Sequence, residues 1–235
     1  MKKILFIIMC LLISTSLFAI DIKTGLTAGL NLSSNTGSDW QDMVNEMGFS
    51  NDFRLGFEMG AFWEIPINDL FSIQPEINFL LLRTGCSGRT DFPIYDDYTG
   101  MMIDYYSAKI EYGYMTRIFE VPVLAKLNFG SDKAKFFILA GPIFSILIGN
   151  INESYKMTTD SYSYFGDDQS DSSIKPDNRV LWGGAIGFGF SIPTNDGRFI
   201  LDLRYRTTFT NMLKDFNLTV NTIGFRIGYG IDIEL

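Results

Sequence analysis

Apolar and polar residues alternate along most of the chain after residue 21. The stretch FEVPVLAKLNF at 119–129 shows the pattern, because Val121 and Val123 alternate with Glu120 and Pro122. A period of two places alternate side chains on opposite faces of an extended strand. The alternation predicts eight β-strands, although it is blurred in the fifth, whose faces stay open. The predicted strands are 22–33, 54–65, 71–82, 119–129 (with a start as early as Tyr105), 136–148, 180–192, 199–206 and 222–231.

The connections between these strands alternate strictly between short and long. Short turns contain Asn68-Asp69, Ser131-Asp132-Lys133 and Thr194-Asn195-Asp196-Gly197, and long polar segments cover 34–53, 83–104 and 149–178, with a shorter one at 209–217. A helical pattern of apolar residues occurs only weakly, at Trp40 to Met47. A soluble sandwich would bury the apolar faces against a second layer, but this alternation is typical of bacterial outer-membrane barrels. We therefore predict an all-β fold, an eight-stranded antiparallel up-and-down transmembrane β-barrel formed by residues 20–235 as one domain.

The N-terminus has the pattern of a secretory signal peptide. Lys2 and Lys3 precede an apolar run at 4–13, and a segment rich in small residues follows up to Ala19. The apolar run is too short to span a bilayer comfortably, so we predict a signal peptide at 1–19, with a permanent N-terminal anchor as the alternative. No other apolar run is long enough for a transmembrane helix.

Charged residues occupy the strand face opposite the apolar one. Facing lipid, a basic residue at mid-depth would cost about 2–4 kcal/mol. Facing inward, carboxylates and guanidinium groups can pair with one another, and an eight-stranded barrel is just wide enough for side chains to fill it. We therefore predict a plugged, ion-paired lumen built from Glu58, Glu64, Glu76, Glu120, Lys126, Asp202, Arg204, Arg206 and Arg226.

Composition excludes several classes of function. Without Lys2 and Lys3 the chain has 17 basic and 27 acidic residues, which argues against binding to nucleic acid. It contains no histidine, the usual catalytic base and the commonest metal ligand. Catalysis by Glu58, Glu76 and Glu120 is formally open, but structural ion pairing is favoured. Residues 167–171 are acidic but lack the spacing of an EF-hand loop. We predict no enzyme activity and no catalytic, metal or cofactor site. Cys86 is expected to be a free thiol.

Several segments together resemble the PorT-like outer-membrane β-barrel family. The likeness rests on RLGFEMGAFWEIPI, FSIQPEINFL, FEVPVLAKLNFG with its Glu120-x-Pro122, the Ala140-Gly141-Pro142 motif and RFILDLRYRTTFTNM. It covers residues 22–235 and implies an eight-stranded barrel in the bacterial outer membrane. One branch of that family is tied to protein secretion across this membrane. The chain departs from many such barrels by ending in Leu235 instead of an aromatic residue.

Three functions are compatible with these observations. The first is a structural or interaction barrel, embedded in outer-membrane lipid, that contacts an envelope or extracellular protein partner through loops 34–53, 83–104 and 149–178. The second is a small channel or transporter, or an accessory component of a secretion system. The third, a barrel enzyme, is disfavoured by the missing histidine. Loop tyrosines such as Tyr95, Tyr98 and Tyr105 favour the first, although they also suit a membrane-interface girdle.

Overall fold

The computed structural model describes residues 22–96, 98–131, 134–159 and 168–233. The predicted signal peptide, 1–19, lies outside these ranges. The described chain forms one helix, α1 (Ser38–Glu46), and nine strands. These are β1 (Ile22–Thr36), β2 (Ser50–Pro66), β3 (Phe71–Tyr95), β4 (Met102–Ser131), β5 (Ala134–Thr159), β6 (Asp168–Ile174), β7 (Val180–Thr194), β8 (Gly197–Thr208) and β9 (Thr219–Ile233).

Eight of the strands close into a ring. All pairings are antiparallel and run in the order β4, β3, β2, β1, β9, β8, β7 and β5, and β4 also pairs with β5. Strand β6 is outside the ring, because it pairs only with the far part of β5, from Ile151 to Met157. The predicted eight-stranded antiparallel barrel is confirmed. Closure leaves no free sheet edge within the ring itself.

The outer face of the ring is a continuous apolar belt. Leu26, Phe188 and Phe225 are representative, with 69%, 60% and 53% of their surface exposed. A belt of this kind is what a transmembrane barrel presents to lipid. The structure also settles the faces of β5: Phe136, Ile138 and Phe144 point outward, and Phe137, Leu139 and Ile143 point inward. Both faces of β5 are apolar, which is why its alternation is blurred in the sequence.

The long connections contain more regular structure than the sequence predicts. Strand β3 continues to Tyr95 and β4 begins at Met102, so most of the predicted loop 83–104 is a two-stranded ribbon. In the predicted loop 149–178, β5 runs to Thr159 and β6 follows. These prediction errors have one cause. Beyond the belt, apolar and polar residues no longer alternate regularly, so the sequence lacks the period that identifies a strand, while backbone pairing continues in register, as at Ser87 and Glu111.

Connection 34–53 folds over one end of the barrel as helix α1. Trp40 and Val44 lie on its buried face. The helix ends at Glu46, and Gly48, two residues later, has a φ of +67° and donates its N–H to the Asn45 carbonyl at 3.0 Å. Glycine is favoured there because it adopts left-handed backbone without strain. Among the described residues, no helix has the length and apolar character needed to cross a membrane.

The arrangement of connections predicts the orientation of the barrel. An epitope inserted after Thr99, between β3 and β4, should bind antibody on intact cells, because long connections face outside in outer-membrane barrels. An epitope between Asn195 and Asp196, in the turn from β7 to β8, should bind antibody only after the outer membrane is permeabilised. The opposite pattern of labelling would reverse the orientation.

Candidate functional site

The centre of the lumen holds four paired charges. Glu76 accepts hydrogen bonds from both terminal nitrogens of Arg204, at 2.8 and 3.1 Å, and from both terminal nitrogens of Arg226, at 3.0 and 3.3 Å. Asp202 accepts from the same two arginines at 2.7 and 2.5 Å. The amides of Gln74 and Asn78 also donate to Glu76, at 2.6 and 3.0 Å. All four charged side chains are buried, and their two negative and two positive charges cancel.

Two smaller groups of charges accompany the central cluster. Lys126 donates to Glu64 at 2.8 Å, and its ammonium lies 4.3 Å from the centre of the Phe137 ring. Arg206 lies 2.6 Å from a Glu58 oxygen and 3.4 Å from a Glu120 oxygen. All nine side chains of the predicted lumen set are therefore buried, and each has an opposite charge within salt-bridge distance.

A glycine makes room for one of these groups. A Cβ at Gly224 would lie 2.6 Å from Glu58 Oε1 and 2.9 Å from an Arg206 terminal nitrogen. A cavity beside Glu120 and Arg206 measures only about 20 Å³. This is close to the volume that one water molecule requires. The lumen here is filled by side chains.

Apolar layers separate the charged groups, a feature that the sequence-based prediction missed. One layer contains Phe62, Leu124, Phe137, Leu139, Ile143, Ala185 and Ile200. A second contains Leu80, Leu82, Ile118, Leu147, Ile151, Leu181, Met212 and Val220. The sequence carried a signal for the second layer, since Leu80 and Leu82 continue the inward face of Glu76 and Asn78. Their packing adds a barrier to ions that is independent of the ion pairs.

Helix α1 and its neighbours cover the lumen at the end with the long connections. The Trp40 ring meets Tyr114 edge-on at 5.7 Å, and the Trp40 indole donates to Asn51 at 3.3 Å. Trp40 and Val44 pack with Cys86 and Leu218. Cys86 is a buried free thiol, and burial, together with the Asp52 carboxylate, raises its pKa to about 11. The thiol is therefore protonated and poorly reactive at neutral pH.

The comparisons with known proteins agree with this architecture. Residues 15–214 match the family model described as outer membrane protein beta-barrel domain. The chain belongs to this family. The protein is therefore a bacterial outer-membrane barrel, as predicted, and its belt faces lipid. The narrower PorT-like assignment stays a prediction. We found no match among curated protein sequences.

Solved structures of outer-membrane barrels resemble this barrel at low identity. Ail of Yersinia pestis, in complex with the heparin analogue sucrose octasulfate, is 14% identical over 90% of this chain and 99% of its own, with a TM-score of 0.36. Neisserial surface protein A is 13% identical over 88% and 96%, with a TM-score of 0.40. The outer membrane protease OmpT of Escherichia coli is 10% identical over 93% and 100%, with a TM-score of 0.33. Likeness at this level carries no information about function.

Outside the membrane, the barrel extends as the β3–β4 ribbon. The turn at its tip is organised by Asp96, whose Oδ1 accepts hydrogen bonds from the Tyr98 N–H at 3.0 Å, the Thr99 N–H at 2.7 Å and the Thr99 hydroxyl at 2.9 Å. The bonds from Thr99 and Tyr98 lower the pKa of the Asp96 carboxyl. Gly100 adopts a φ of +64° in the same turn. The described residues of the tip, Asp96 and 98–100, are therefore linked by hydrogen bonds.

The central charges predict a large effect of one substitution on stability. Arg204→Ala should lower the free energy of unfolding by about 3–5 kcal/mol, because it removes one of the two cations that pair with buried Glu76. The measurement is the denaturant midpoint of the barrel in detergent. Asp168→Ala, at an exposed site in β6, is the control and should leave the midpoint unchanged. The opposite result would be an unchanged midpoint for Arg204→Ala and a strongly lowered midpoint for Leu203→Ala, on the outer face. It would mean that the packed core lies on the Leu203 side.

Proposed function

We propose that this outer-membrane barrel is a non-enzymatic interaction protein that presents the tip of the β3–β4 ribbon to a partner outside the cell. The observation that supports this role is the exposed apolar surface of the tip. Tyr98 is 99% exposed, and five neighbours are also exposed: Tyr95, Met101, Met102, Ile103 and Tyr105. Exposed apolar patches on this scale mark sites of interaction, and tyrosine and methionine suit adaptable contact surfaces.

The ribbon also has the order that a recognition surface requires. Residues 84–94 of β3 pair without interruption with β4, and the Phe92 and Tyr106 rings stack at 5.2 Å. On its other side, β4 pairs with β5 as far as Thr159, so three strands support the same extension. A surface held in place before binding loses less conformational entropy on association. These features favour a protein partner of the envelope or the cell's surroundings.

The filled lumen supports a structural role for the barrel itself and argues against transport. The central cluster and the Lys126–Glu64 pair are neutral, Glu58 and Glu120 share Arg206, and two apolar layers and helix α1 fill other parts of the barrel interior. The carboxyl groups of Glu58, Glu76 and Glu120 are buried against arginines, so these three carboxylates are not accessible to a substrate. We also propose that residues 1–19 are the export signal for a barrel domain at 20–235, in keeping with the outer-membrane location.

Conductance separates the structural proposal from the channel alternative. Purified protein in planar bilayers should show no stable conductance of porin size, because side chains fill the lumen. Leu80→Ala together with Leu82→Ala thins an apolar layer and should still give no such conductance while the ion pairs remain. Reproducible porin-sized channels from the native protein would support transport instead.

The tip can be tested by removing its apolar side chains. Cells carrying Tyr98→Ser, Met101→Ser and Ile103→Ser should adhere several-fold less to a phenyl-coated surface than cells with the native protein, because exposed apolar area drives such contact. Ile67→Ser with Leu70→Ser is the matched control, since it removes exposed apolar side chains at the opposite end of the barrel. Unchanged adhesion of the tip variant, with the protein present at normal levels, would contradict the proposal.

A further inference from the structure

Basic side chains follow directly above the apolar belt on the outer face of β3 and β4. Residues that lie opposite each other in an antiparallel pair share a face. Phe79 lies opposite Phe119 within the belt, and the next outward-facing pairs are Leu81 with Arg117 and Arg83 with Met115. Arg83 and Arg117 therefore occupy neighbouring positions on the outer surface, at the depth where the belt ends and lipid headgroups begin.

A third arginine reaches the same surface from β2. The register between β2 and β3 shifts between Phe53 and Phe57, which places Arg54 over the next outward pair, Gly85 and Gly113. A Cβ at Gly85 would lie 2.6 Å from Arg54 Nε, and one at Gly113 would lie 2.5 Å from an Arg54 terminal nitrogen. The two glycines thus leave a shallow shelf that the guanidinium group fills. We call Arg54, Arg83 and Arg117 the arginine shelf.

The arginine shelf has fewer carboxylate partners than the arginines of the lumen. Arg83 and Arg117 have no carboxylate within salt-bridge distance anywhere in the described part of the chain. Arg54 is paired only with Asp52, at 3.4 Å, and both side chains are about 30% exposed. A cleft of about 650 Å³ is lined by Arg54, Arg83, Met115, Asn152 and Ser154, among others. Glu153 and Asp171 also line this cleft, so the surface is not uniformly basic.

We propose that the arginine shelf binds a phosphate group on the headgroup of an outer-leaflet glycolipid. Guanidinium groups bind phosphate through paired, charge-assisted hydrogen bonds, and three arginines here occupy neighbouring positions on β2, β3 and β4. Basic clusters next to a membrane-spanning segment recognise anionic lipids in this way. An acyl chain of the same lipid would lie along the belt below, where an apolar groove includes Met59, Ile77, Phe79 and Phe119. The proposal depends on the membrane location and is independent of the partner proposed for the ribbon tip.

The first test uses the native protein in phosphatidylcholine nanodiscs with three added lipids. These are diphosphorylated lipid A, its monophosphorylated form and the dephosphorylated form, and native mass spectrometry measures the lipid retained. Retention should fall with each phosphate removed. Equal retention of all three would overturn the proposal. Inorganic phosphate is added as a competitor, and displacement of the lipid by inorganic phosphate alone at millimolar concentration would also overturn it, because the site would then recognise the free ion.

The second test compares two variants with the same change in charge. Arg83→Gln with Arg117→Gln should weaken retention of diphosphorylated lipid A on the order of tenfold or more, as expected for the loss of charge-assisted hydrogen bonds. Lys175→Gln with Lys214→Gln, at exposed sites away from the belt, should not weaken it. Arg83→Lys with Arg117→Lys should retain part of the binding, which separates a loss of charge from a loss of fold. Equal losses in both glutamine variants would refute a specific site.

Discussion

The buried pairing of Glu76 with two arginines is the constraint on which the barrel depends. A carboxylate and two guanidinium groups cannot be taken out of water unless their charges and hydrogen bonds are satisfied together. Arg204 from β8 and Arg226 from β9 meet Glu76 from β3 across the lumen. This contact links strands that are 128 and 150 residues apart in sequence. It fixes which way the strand faces point, because reversing any of these strands would leave a buried charge unpaired.

The other buried charges are also paired, but the numbers of acidic and basic residues differ by one. Arg206 serves two carboxylates, Glu58 and Glu120, whereas Glu64 has Lys126 and Glu76 has two arginines. The predicted lumen set therefore has five acidic and four basic members. Two apolar layers share the lumen with these groups. The lumen is therefore filled by side chains that stabilise the barrel. Contact with other molecules takes place at the surfaces above the belt.

The surfaces above the belt also carry arginines, but these arginines lie on the outer face and not in the lumen. Inside the lumen, arginines are neutralised by carboxylates from neighbouring strands. On the outer face, Arg83 and Arg117 are without such partners in the described chain, and this difference is the basis for the lipid-phosphate site that we propose there. The tyrosines of the ribbon tip are similarly separated from the apolar belt by polar strand pairs such as Ser87 with Glu111. Position along the strand, measured from the edge of the belt, therefore decides what each side chain can bind.

The sequence alone determined the strands of the membrane-spanning ring and the inward face of the nine charged residues. Both follow from local alternation, which reports the two faces of a strand directly. Which charges pair, such as Glu64 with Lys126, was decided only by the closed ring, since it depends on register between distant strands. The tertiary structure also decided the outward position of Arg54, which depends on a register shift, and the extension of β3 and β4 beyond the belt. Neither has a local signal, because the extended parts of β3 and β4 lack a regular hydrophobic period and a shift in register is a property of two strands together.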